Sequence, residues 1–417
     1  MTAPIPASAS SSTSGRPLTV AFINPVNLFD EGNGAAQSLR TMLEQLAKRG
    51  AICHAFTACC FDIPPGELLS GKLGARGLSP SGKLQGFDIP VWQGNVAGVA
   101  YNVLQFRTQQ RDQMTAAEEL VFRDAALTWL EMNRPDVVIT FGGLLLDLEL
   151  QRCAKVAGAA LVFYLANPRY GRRETFAQAD LILANSAATA EHYAQAMGLQ
   201  CQNVGVFVDT GAVQAVQRLP PHLPQFVTFI NPLPEKGVAL FLKLVQRAAQ
   251  EAQDMRFLVV ESRGLLATAM QKLGLPANIL AQTTVLPKQE QMAAVYAQTR
   301  ILLVPSFWFE AAGRVLLEAN ANGIPVLASD RGGIPETLGG AGRLLPIPEQ
   351  CTRDHWTMPT DAQVQPWWEE LLTLWRADAY YEMCSRKARA VAETQTVQHK
   401  AAHLEQLLRS LVVDAGR

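Results

Sequence analysis

Val304–Glu336 reads VPSFWFEAAGRVLLEANANGIPVLASDRGGIPE, and its order of elements decides the fold. It opens on the end of an apolar strand, ILLVPS, and passes two glutamates eight residues apart, Glu310 and Glu318, with Gly313 and Arg314 between them. A second apolar strand, PVLAS, follows, and then a Gly-Gly turn closed by Glu336. A strand, a loop of small residues and a helix start together form an anion cradle, because unpaired backbone N–H groups and the helix dipole point outward there. Carboxylates beside such a cradle repel phosphates but suit hydroxyl groups. A ligand carrying both phosphates and many hydroxyls is a nucleotide sugar.

The segment resembles the donor-binding signature of the family 4 GT-B glycosyltransferases, the glycogen-synthase-like group. Pro305, Ser306, Glu310, Gly313, Arg314, Glu318, Ala319, Gly323, Pro325, Val326, Gly332, Gly333 and Glu336 carry the resemblance. One local departure is Ala311-Ala312, where the family often has a bulky residue. The resemblance is strong after residue 225 and weak before it. It implies an α/β protein of two Rossmann-like doubly wound domains facing a cleft.

The chain has 417 residues, enough for two or three domains. Hydrophobic residues make up 48% and charged residues 18%, as in ordinary globular proteins. A net charge of −1 supplies no global field toward nucleic acid or an anionic membrane. Seven scattered cysteines, including the vicinal pair Cys59-Cys60, lack metal-ligand spacing and point to a reducing cytoplasm. No apolar run is long enough to span a bilayer.

Along the chain, residues 1–17 read as a disordered tail without signal-peptide character. Residues 18–209 read as an N-terminal, acceptor-binding Rossmann-like domain. It begins with the strand LTVAFINP, the loop DEGNG and a helix ending at Gly50. Residues 61–100 read as loops with short strands, a helix spans Thr115 to Asn133, and the strand NVGVFVD ends near Asp209. Residues 210–225 read as a linker, and 226–385 as the nucleotide-sugar domain. Residues 386–417 read as a C-terminal helix, which the resemblance implies crosses back to the first domain.

Several residues are candidates for chemistry. By resemblance, Glu310 meets hydroxyls of the transferred sugar and Glu318 those of the ribose; Glu318 alone also reads as an ordinary capping or pairing residue. Their spacing, taken along a helix, is about 12 Å. In NPLPEKG, Lys236 sits near a helix start, where a cation is locally unfavourable unless a diphosphate lies there. Many family members have an arginine five residues before this lysine; here the position is Asn231, and Arg263 or Arg314 is the expected substitute. A structural turn lysine is the other reading of Lys236. Gly32-Asn33-Gly34 matches the family's N-terminal glycine loop, its glycines permitting positive φ and close backbone approach; an ordinary βα turn is the other reading. Val315 completes the donor set with Gly313. In FYLANPRYGRRE, Ala166 stands where the family often has a histidine facing the sugar. Either Asn167 or another side chain takes that part, or the acceptor needs no such contact, or a histidine was exchanged for alanine. Arg169, Arg172 and Arg173 read either as a receptor for an anionic acceptor or as a solvated loop.

His399 and His403 read as a solvated helix face, and Trp367, Trp368 and Trp375 as core. With no Asp-x-Asp motif at a strand end, the diphosphate is expected to be held by loop amides and Lys236 without a metal. No cofactor is expected beyond the nucleotide diphosphate sugar as co-substrate. The expected activity is sugar transfer to an acceptor – saccharide, lipid-linked glycan, protein or small molecule – with retention of configuration implied by the resemblance. The alternatives are a non-catalytic nucleotide-sugar binder and a synthase or phosphorylase using a small anion as acceptor.

Overall fold

A computed structural model describes residues 16–62, 69–216 and 225–414. Most of the expected tail, and residues 217–224 of the expected linker, lie outside them. The first half is built on β1 (Thr19–Ile23), β2 (Ile52–Ala58), β3 (Ser79–Lys83), β4 (Pro90–Val96), β5 (Val99–Leu104), β6 (Val137–Thr140), β7 (Ala160–Leu165), β8 (Leu181–Ala184) and β9 (Gln202–Asn203). They form one sheet in the order β3-β4-β5-β2-β1-β6-β7-β8-β9. The second half holds β10 (Phe226–Ile230), β11 (Phe257–Val260), β12 (Thr283–Leu286), β13 (Thr299–Val304), β14 (Val326–Ser329) and β15 (Arg343–Leu345). Its sheet runs β12-β11-β10-β13-β14-β15, parallel throughout. The fold is therefore α/β, with two Rossmann-like halves.

This order matters for the site. In such sheets the strand order reverses at one place, and the loops leaving the strands there splay apart to form a crevice. In the second half the reversal falls between β10 and β13, in the first between β1 and β6. The four loops that follow these strands all line the cleft, together with the loops after β7 and β11. Strands such as FLVV and VLAS are buried along their whole length, which is why they read as unbroken apolar runs.

Residues 61–100, expected as loops with short strands, hold the short strands β3 and β4 and the start of β5. β3, β4 and β5 form an antiparallel extension, with β5 also pairing parallel to β2. The β4–β5 turn is Ala97-Gly98, with φ of 51° and 86°. Two positive φ values match the twist of a two-residue hairpin. The expected strand NVGVFVD shrinks to β9; Val204, Val206, Phe207 and Val208 instead form a buried connection. The helix Ala116–Asn133 is as expected, its N-terminus closed by a capping box of Thr115 and Glu118.

The C-terminal segment divides differently from the boundary drawn at residue 385, which falls inside the helix Asp378–Thr394. The last helix, Val397–Asp414, packs Ala401, Leu404 and Leu408 into the first-half core with Leu39, Met42 and Leu43. Trp367 and Trp368 are buried in the second-half core, and His399 and His403 are exposed. All seven cysteines are free. Among the described residues no helix is long and apolar enough to cross a membrane.

Candidate functional site

A cleft of about 780 Å³ lies between the halves. Gly32, Asn33, Gly34, Asn167, Arg169, Asn231, Lys236, Arg263, Glu310, Gly313, Arg314, Val315 and Glu318 all line it. Arg172 does not: it is exposed on the loop beyond Tyr170 and away from the cleft lining. Arg169, by contrast, faces the second half, beside Glu235 and Trp308.

The loop after β10 is shaped by two left-handed residues. Asn231 has φ 62°, tolerated by asparagine, and its Oδ1 accepts from the Gly264 N–H at 2.9 Å. The position that usually carries a cation thus has a backbone task here. Gly237, φ 84°, starts the helix Val238–Glu251, and a Cβ there would lie 1.9 Å from the Pro305 carbonyl oxygen. Only glycine lets the β10 and β13 loops touch, and that contact brings Lys236 to Glu310.

Lys236 Nζ and Glu310 Oε2 form an ion pair. The same Oε2 accepts from the Trp308 indole Nε1 at 3.1 Å and from Ser306 Oγ at 3.4 Å. Burial alone would raise the Glu310 carboxyl; Lys236, Trp308 and Ser306 outweigh it and hold the group below its ordinary range. Glu310 lies on the loop ahead of the helix Arg314–Ala321, so the distance counted along a helix from Glu310 to Glu318 does not apply. Glu318 is buried and accepts from the Tyr296 hydroxyl at 2.5 Å. Burial, and then Glu318 itself, push the Tyr296 hydroxyl well above its ordinary value, so it stays a donor.

Arg314 and Arg263 were the expected substitutes for the absent cation, and the structure separates them. Arg314 is a pin between the halves. It donates to the Phe207 carbonyl at 2.7 Å and to Gln37 Oε1 at 3.3 Å, and lies 3.7 Å from Glu318. Arg263 is 45% exposed at the cleft rim, 3.6 Å from Asp62 of the first half, and remains available to a ligand.

The glycine loop also differs from its expected use. Gly34 begins the helix Gly34–Lys48 without a positive φ, and a Cβ there would meet Arg314 Cδ at 3.3 Å. Its smallness admits a side chain of the other half. Asn33 caps that helix, accepting from the Ala36 N–H at 3.0 Å. Ala166 lines the cleft, and its carbonyl accepts from Asn185 Nδ2 at 3.4 Å. Asn167 accepts the Arg169 N–H at 2.9 Å in a local turn.

Sequence reasoning missed Trp308, Lys288 and Asn185, all at the cleft. Trp308 was legible in principle, since it sits inside the quoted stretch at the mouth of β13. It also missed that the end of the motif grips the first half. Glu336 accepts from the Ala187 N–H at 2.6 Å and from Asn203 Nδ2 at 2.7 Å. Ser186 and Thr189 donate to the Ala311 carbonyl at 2.5 and 3.1 Å.

Known proteins resemble this arrangement. Residues 214–346 match the family model described as glycosyl transferases group 1. A D-inositol 3-phosphate glycosyltransferase of Nocardia farcinica is 28% identical over 348 residues, covering 76% of this chain and 74% of the relative. One of the same name from Mycobacteroides abscessus is 30% identical over 203 residues, 44% of each chain, so that match spans under half of the relative. The crystal structure of Anabaena HepE in complex with UDP and glucose superposes with a TM-score of 0.66 at 15% identity, covering 94% of this chain and 100% of that one. The fold is that of the GT-B glycosyltransferases, and the second half of the chain is similar to glycosyl transferases group 1.

Proposed function

We propose that this protein is a glycosyltransferase that moves a sugar from a nucleotide diphosphate sugar to an acceptor held against the first half. One observation carries the reading: Lys236 and Glu310, of opposite charge, face each other in the cleft at the ends of β10 and β13. A sugar diphosphate separates such a pair usefully. The cation turns to the phosphates, and the carboxylate is released to accept from sugar hydroxyls. Glu318 then holds the ribose, with the backbone at Gly313 and Val315 beneath the diphosphate. Arg263 supplies the second cation that Asn231 does not.

Retention of configuration belongs to this proposal, with the leaving diphosphate taking the acceptor's proton on the face it departs from. So does transfer without a resident cofactor or metal, Lys236 and Arg263 neutralising the leaving group. We place the reaction in the cytoplasm, where nucleotide sugars are made. Arg169 is the acceptor-side cation; relatives named for a phosphorylated inositol acceptor support an anionic acceptor here. Glu310 and Asn167 flank the reacting sugar.

Incubating the protein with UDP-, GDP- and ADP-linked sugars and measuring nucleotide release tests the reading. Turnover that is lost in Lys236→Met and Glu310→Gln supports it. Saturable binding without turnover, with any acceptor or water, would instead establish a binder, which the small Ala166 at the cleft also accommodates.

A further inference from the structure

Trp308 is a residue of the cleft for which the transfer scheme above has no use. Its surroundings are specific. The indole Nε1–H donates to Glu310 Oε2 at 3.1 Å. The Lys236 ammonium lies 5.2 Å from the ring centroid. From the opposite half, the Arg169 guanidinium lies 4.8 Å from the same centroid. Arg169 is also 3.8 Å from Glu235 Oε1, and the Glu235 carbonyl accepts the backbone N–H groups of Phe307 and Trp308 at 2.9 and 3.3 Å.

The neighbours of Trp308 fix its place. Phe307 is fully buried in the second-half core. Phe309 packs against His192 of the first half, with ring centroids 5.1 Å apart. The indole therefore hangs at the seam from a backbone anchored on both sides. Its two cation contacts come one from each half.

We propose that Trp308 is the positioning residue of the donor carboxylate. Its N–H holds Glu310 in place once Lys236 turns to the phosphates, and its ring, covered by Arg169, links that orientation to closure of the halves. The inference rests on the sugar-nucleotide reading. It deepens that reading by naming what keeps Glu310 aimed when its cation leaves. Of the three donors to Oε2, Lys236 turns to the phosphates in this scheme, and Ser306, at 3.4 Å, is the most distant. The indole N–H remains, and it cannot rotate away as a hydroxyl can. A carboxylate that has lost its cation and this donor swings freely and protonates more easily.

The test compares Trp308→Phe, Trp308→Leu, Arg169→Met and the Arg169→Met/Trp308→Leu pair with the unaltered protein, using UDP-, GDP- and ADP-linked sugars and following nucleotide release. Trp308→Phe keeps a six-membered ring for Arg169 and removes the N–H together with the rest of the pyrrole ring. It should lower kcat about tenfold, the worth of a hydrogen bond to a charged group, with donor KM within about threefold. The acid limb of its kcat profile should move to higher pH, because the charged carboxylate has lost a donor. In Trp308→Leu, adding Arg169→Met should change kcat less than Arg169→Met does alone, since the contact it removes is already gone. Melting curves identify any variant that fails to fold; Trp308→Phe, which keeps an aromatic ring, and Arg169→Met, which keeps an unbranched stem, then decide. A Trp308→Phe protein with unaltered kcat and pH limb overturns the inference and leaves the transfer reading standing. An unaltered protein that neither binds nor turns over any of the three classes overturns both.

Discussion

Replacing Lys236 with methionine separates catalysis from stability. The methionine keeps the length of the stem and removes the charge. Breaking one side of a fully buried ion pair costs about 3–5 kcal/mol, because the other charge is left alone. Here the partners are 21% and 12% exposed, and Glu310 keeps Trp308 and Ser306 as donors. The expected loss of stability is therefore nearer to ~1 kcal/mol, a fall in Tm of roughly 2–4 °C. Turnover should fall far more. A charged donor aimed at a departing oxyanion is worth roughly a hundred- to a thousandfold in kcat. The pH dependence has a definite sign. Glu310 sits below its ordinary value of 4.5 in the folded protein. Its charge thus contributes stability at neutral pH, and that contribution disappears as pH falls below 4.5 through the folded value. In Lys236→Met, burial, the largest influence, is less opposed, so the carboxyl rises toward or past 4.5; the variant then loses less stability on acidification, and its Tm deficit against the unaltered protein narrows as pH falls below 4.5. Nucleotide release from sugar nucleotides and melting curves between pH 4 and 7 read both effects. Turnover within threefold of the unaltered protein would refute the site assignment. A fall in Tm beyond about 10 °C would show that Lys236 is chiefly a structural turn lysine.

Other positions carry sharp expectations. Arg314→Met removes the bonds to Phe207 and Gln37 at the seam and should destabilise by roughly 2–4 kcal/mol, measured by denaturant unfolding. Gly237→Ala places a methyl group on the Pro305 carbonyl at a left-handed φ; a loss above about 2 kcal/mol or insoluble protein is expected, and a stable variant would contradict the loop geometry. Lys400 is half-buried, donating to the Val206 carbonyl, and desolvation lowers its pKa to about 8. Its folded value lies below its ordinary 10.5, so stability drawn from it is present above 10.5 and lost as pH falls through about 8. Lys400→Met should therefore compare best with the unaltered protein near pH 7, and the Tm difference should turn against the variant as pH approaches 10.

Legibility in the sequence followed the range of the forces involved. The second sheet was readable because each parallel strand is buried on both faces and prints itself as an apolar run between glycines. Lys236, Glu310 and Glu318 were readable because each sits in a motif that carries the family resemblance, although Lys236 and Glu310 lie 74 positions apart. The β3–β5 extension was not, since its decisive feature is the positive φ of Ala97, a residue that rarely adopts it. Nor was the fate of Arg314. Its partners Phe207 and Gln37 lie 107 and 277 positions away, and no periodicity reports contacts across such separations. Asn231 shows the same limit: the missing cation was visible, but the amide's bond to Gly264 depends on how two loops meet.

The quoted stretch serves two purposes that are mechanically one. Glu310 faces the ligand space, while the next residue, Ala311, gives its carbonyl to Ser186 and Thr189 of the first half. A Cβ on Gly332 would lie 2.2 Å from the Glu310 carbonyl oxygen, and the Gly333 N–H bonds that oxygen at 2.7 Å. Glu336 then reaches the N-terminus of the helix Ala187–Met197, where a carboxylate is favoured by both the free N–H groups and the dipole. The loop that aims Glu310 is therefore clamped between its own domain and the opposite one. Separating the halves would break the Ala311 and Glu336 bonds that hold the peptide next to the carboxylate. A site built this way would keep its geometry only with the halves together and water largely excluded. That suits a reaction whose main side path is loss of the sugar to water.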